Sequence, residues 1–76
     1  VTRLDRFIKQ AGVKPSRLAE RAGVSRQHLL RLRRGQMEPT RRMMVALADA
    51  ASQMCRRTVY TVELFELSHG DESRQT

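Results

Sequence analysis

The chain has one cysteine, no tryptophan, two prolines and only three aromatic residues in 76 positions. Cys55 has no partner for an intrachain disulfide, and no second thiol stands at a metal-ligand spacing. Redox staples and zinc knuckles are therefore excluded, and a reducing, cytoplasmic setting is expected. Phe7, Tyr60 and Phe65 are few and all expected to be packed, so no stacking platform for RNA is expected. No apolar run approaches the ~18 residues that span a bilayer, and no charged-then-apolar leader is present, so no membrane contact is expected. The serines lack a His and acid partner pattern, His28 and His69 stand 41 residues apart, and no Gly-rich phosphate cradle occurs. Neither an enzyme nor a bound cofactor or metal is expected. A domain of this size buries only about 60% of the surface its unfolded chain exposes, which leaves little room for a deep cleft.

What the sequence does have is positive charge. Fifteen Lys or Arg against eight Asp or Glu give a formal charge of +7. The excess is concentrated: residues 14–42 hold nine bases and two acids (+7), residues 1–13 three and one (+2), and residues 43–76 three and five (−2). A basic centre of this kind suggests a polyanionic partner.

Apolar periodicity divides the chain into helices. Leu4, Phe7, Ile8 and Ala11 recur at i, i+3, i+4 and i+7 and predict an amphipathic helix over residues 2–11, closed by Gly12. Pro15 opens a short second helix over residues 15–22, and Gly23 ends it. Ser25 is placed to cap a third helix over residues 25–34, with Leu29 and Leu32 on one side and Gln27, Leu30, Arg31 and Arg34 on the other. Thr40 is placed to cap a fourth, whose stripe is Met44, Leu47, Ala48 and Ala51, flanked by Met43, Ala50 and Met54. Residues 58–60 read as extended and lead into a last helix capped by Thr61. Residues 1–67 thus form one all-α domain, and residues 68–76 read as a flexible tail.

Two short helices joined by a three-residue turn, the second basic on its outer face, have the geometry that lets one helix enter a DNA major groove while the first braces it. The chain resembles the lambda-repressor-like, Cro-type (XRE-like) helix-turn-helix family from about Leu4 to Leu67. The resemblance rests on the order and spacing of Leu18-Ala19, Ala22-Gly23-Val24-Ser25, Leu29, Leu32, Arg34-Gly35, Pro39-Thr40, Leu47-Ala48 and Thr61-Val62-Glu63-Leu64-Phe65. It implies a compact five-helix bundle with base contacts at Arg26, Gln27, Leu30 and Arg31. Their chemistry agrees, since Arg pairs with guanine, Gln with adenine, and an exposed Leu meets a thymine methyl. Arg33, Arg34, Arg41 and Arg42 are placed to neutralise phosphates, with Lys14 and Arg17 on the opposite strand and His28, beside the base-reading row, in reach of a phosphate or a base.

Two positions depart from the family pattern. Pro15 replaces a Gln that anchors the second helix on a phosphate in many relatives, so a backbone N–H or Arg17 takes over that contact. Ile8 and Arg33 replace an Arg and a Glu that pair in many relatives, which leaves Arg33 free to face solvent or phosphate.

A single recognition helix reads few base pairs, so a homodimer is expected, through Val59, Tyr60, Val62, Phe65 and Leu67. These observations predict a bacterial or phage transcriptional regulator, most simply a repressor, in the cytoplasm and associated with the nucleoid. The competing reading is an antitoxin, which in this fold binds a toxin protein and its own operator.

Overall fold

The computed structural model describes residues 2–66, which form five helices: α1 (Arg3–Ala11), α2 (Pro15–Ala22), α3 (Arg26–Arg33), α4 (Arg41–Cys55) and α5 (Thr61–Leu64). Among the described residues there is no strand. The all-α, five-helix expectation is met.

Local chemistry sets the boundaries. Thr2 accepts the Asp5 N–H at 3.0 Å and starts α1. Gly12, at φ 70°, adopts the left-handed geometry that ends it. Pro15 takes the first position of α2, where its missing N–H costs nothing. Thr40 accepts the Met43 N–H at 3.1 Å and starts α4. That helix ends at Arg56, which holds the same left-handed geometry (φ 57°) without being a glycine.

Each helix contributes one leucine to the centre of the molecule: Leu4, Leu18, Leu29, Leu47 and Leu64 are each at most 2% exposed. Sealing a leucine from water is worth roughly 1.5–3 kcal/mol, so these five side chains bind all five helices into one core. Phe7, Ile8, Ala19, Leu32, Ala48, Ala50, Ala51, Val59 and Phe65 complete it. On α4 the four buried residues are Leu47, Ala48, Ala50 and Ala51, while Met43, Met44 and Met54 pack half-buried at the margin.

Three expectations are corrected at the C-terminal end. The cap of α5 is Tyr60 and not Thr61, because the Glu63 carboxylate turns back to accept the Tyr60 N–H at 3.1 Å and Thr61 is already helical. Val59 and Phe65, expected in a dimer interface, are buried at 4% and 8% exposure, so this core leaves them little surface for a partner. Tyr60 and Val62 from the same group are exposed, and Leu67 and the 68–76 tail lie outside the described residues.

Ser52 holds this returning segment in place. Its hydroxyl donates to the Ala48 carbonyl at 2.8 Å, and its oxygen accepts the Val59 N–H at 2.8 Å. Ser52→Ala leaves that amide without a partner beside the core, which should cost about 1–3 kcal/mol. Urea denaturation measures this directly, and an unchanged midpoint would show that the clip does not hold the α4–α5 segment.

Candidate nucleic-acid interface

The α2–α3 corner is built on Gly23. At φ 77° it ends α2, its N–H donating to Ala19 and Glu20 carbonyls, and the Val24 N–H also reaches Ala19 at 3.0 Å. An L side chain is strained in that geometry. Ser25 then caps α3 by accepting the His28 N–H at 3.0 Å.

Eight residues are too few for a helix to persist alone in water, so α3 depends on what its two ends and inner face touch. The inner face is Leu29 and Leu32, both buried. The outer face carries Arg26, Gln27, Leu30, Arg31 and, just past the helix, Arg34, all exposed. Leu30 is 41% exposed, a large apolar side chain set among cations. The row expected to read base edges therefore does share one exposed side of one helix.

The C-terminal end of α3 is held by α1. The Thr2 hydroxyl that caps α1 also donates to the Arg33 carbonyl at 2.7 Å, so one side chain serves both helix ends. Asp5 accepts from Arg33 Nε at 2.9 Å and from a terminal guanidinium nitrogen at 2.7 Å, both on Oδ1, while Lys9 reaches Oδ2 at 3.2 Å. Hydrogen bonds from Arg33 and then Lys9 hold the Asp5 carboxyl below the usual aspartate range. The expectation that Arg33 is free is thus corrected. With the Arg and Glu of the family pattern both replaced, an ion pair still joins α1 to α3, with the acid on α1 and the base on α3. Thr2, Asp5, Leu30, Arg33 and Arg34 line a cleft of about 390 Å³ at this junction.

The other cationic positions lie on neighbouring elements. Lys14 and Arg17 are exposed at the start of α2, and Arg41 and Arg42 are exposed in the first turn of α4. His28 is exposed, with its ring Nδ1 3.1 Å from the Ser25 hydroxyl. Thr2 and Asp5 were not legible as supports of α3. They bond to a residue about 30 positions away, and apolar periodicity carries no information on polar pairs of that kind. Among the described residues no group of three or more His, Cys, Asp or Glu is placed to hold a metal ion, and no helix is long and apolar enough to cross a membrane.

A short bracing helix, a glycine corner and a second helix with a cationic outer edge define a helix-turn-helix unit. A helix-turn-helix family model matches residues 4–51, more than half of the chain. The protein belongs to this family, in its lambda-repressor-like branch, a family of DNA-binding transcription regulators. No curated protein and no solved structure matches the chain significantly.

The Asp5 pairing has a pH signature. A carboxylate whose pKa is lowered by folding stabilises the folded state above the unfolded value of about 3.9, and this contribution is lost as pH falls through the folded value. Asp5→Asn should therefore flatten the acid limb of the stability profile. Glu63, lowered by Arg57 and by the Tyr60 N–H, keeps the limb from vanishing. Urea midpoints between about pH 5 and pH 2 test this; parallel acid limbs in wild type and variant would contradict it.

Proposed function

We propose that this protein is a sequence-specific repressor of bacterial or phage origin that lays α3 in the major groove of duplex DNA and occludes a promoter. The observation that carries this reading is the exposed row Arg26, Gln27, Leu30 and Arg31 on a helix whose other face is sealed in the core. Arg and Gln supply the two-pronged contacts that distinguish guanine and adenine, each worth roughly 1–3 kcal/mol of discrimination. Leu30, with no place in the core, meets a thymine methyl.

Lys14, Arg17, His28, Arg34, Arg41 and Arg42 serve the phosphates in this reading, whereas Arg33 supports the helix through Asp5. None of α2, α3 and α4 has an acid in its first turn. Their positive N-terminal ends are left for an approaching anion. A second copy of the chain joins through the exposed Tyr60 and Val62, with half-sites about 34 Å apart, as a weak homodimer completed on DNA.

Selection from random duplexes, followed by binding against salt, tests the reading. An enriched motif with a steep negative salt slope is expected. Gln27→Ala should change the preferred sequence, while Arg42→Ala should weaken all duplexes alike and reduce the salt slope by about one. Absence of any enriched motif would overturn the proposal, and a stable complex with the product of a neighbouring gene would favour the antitoxin role instead.

A further inference from the structure

Ser25 does more than cap α3. Its oxygen accepts the His28 backbone N–H at 3.0 Å, and the same hydroxyl lies 3.1 Å from Nδ1 of the His28 ring. A hydroxyl carries one proton and two lone pairs, so it can accept from the amide and donate to the ring at once. We propose that Ser25 locks neutral His28 in the tautomer that carries its proton on Nε2, so that α3 offers the DNA an N–H donor there. The proposal rests on the reading of α3 as the DNA-contacting helix.

Two arguments select this tautomer. An oxygen that already accepts a hydrogen bond is polarised into a better donor, which favours Ser25 O–H to Nδ1 over the reverse. The N-terminal end of a helix also carries partial positive charge, which favours a lone pair facing it over an N–H. The ring's first nitrogen is engaged with the cap, and its second is left with a proton and, among the described residues, no hydrogen-bond partner.

The consequence is a selection by polarity. Phosphate oxygens, guanine O6 and N7, adenine N7 and thymine O4 all accept hydrogen bonds. The donor tautomer suits any of them, whereas the other tautomer would present a lone pair to the same atoms. His28 in this tautomer then acts by donation, beside the donors of Arg26 and Arg31 on the same helix.

Imidazole 15N spectra of the free protein, recorded at about pH 8.5 where an ordinary imidazole is neutral, read the tautomer independently of DNA. Wild type should show a protonated Nε2 and an unprotonated Nδ1. Ser25→Asp keeps a good cap but offers only acceptor oxygens, so the proton should move to Nδ1. A wild-type ring protonated on Nδ1, or averaged as in an unstructured peptide, overturns the assignment.

Binding to the duplex selected by wild type tests the donor role. His28→Phe should bind about tenfold more weakly, and His28→Gln, whose amide can replace the Nε2 donor, should stay within about threefold of wild type. A loss shared by all duplexes identifies a phosphate acceptor, and one confined to a single base-pair identity identifies a base edge. Wild-type affinity in His28→Phe overturns the donor role while leaving DNA binding by α3 intact. Failure of wild type to bind any duplex removes that role together with the functional reading, and the spectra still decide the tautomer.

Discussion

The structure turns on the junction where α1 grips the end of α3. An eight-residue helix that buries only two side chains has little holding it. Thr2 and Asp5 supply the missing restraint, one through the Arg33 carbonyl and the other through its guanidinium. Because Thr2 also starts α1, the two helices are registered to each other by a shared oxygen. Gly35 lets the chain leave this junction: it sits at φ 71°, and a Cβ there would lie 3.4 Å from the Thr2 methyl. With the Ser25 cap at its other end and Leu29 and Leu32 beneath, α3 is fixed on three sides and open on the fourth.

That fixation matters for recognition. A side chain reads a base edge only if its helix is already aimed, since ordering the helix on contact would consume the free energy of the contact. The open side carries cations, Gln27 and one apolar residue, and the cations on the start of α2 and α4 extend the positive surface beyond it. Arg41 and Arg42 oppose the dipole of α4, a modest local cost that an arriving phosphate would reverse under the proposed function.

Much of this was legible in the sequence, and the reasons are local. Gly12, Pro15, Gly23, Ser25 and Thr40 act within one turn of their own position, so the end of α1, both ends of α2 and the starts of α3 and α4 could be placed from neighbouring residues alone, whereas α4 ends at Arg56, a non-glycine that carries no such local signal. The division of α3 into a buried Leu29–Leu32 side and an exposed cationic side followed from helical spacing. What was missed depends on distant partners. Arg33 read as free because its acid, Asp5, lies 28 positions away with no pattern joining them. Val59 and Phe65 read as interface because a short apolar segment does not reveal which of its side chains turns inward. The one-residue error at α5 arose because the Glu63 carboxylate, and not the Thr61 hydroxyl, satisfies the first amide.

The central claim is that the outer edge of a clamped α3 is the surface that meets duplex DNA. Backbone amide shift mapping during titration with a selected duplex tests it most directly. The account requires the largest changes along Arg26–Arg33 and at Arg34, with smaller ones at the starts of α2 and α4 and little at the buried leucines. Changes centred on Tyr60 and Val62, with α3 unmoved, would contradict it.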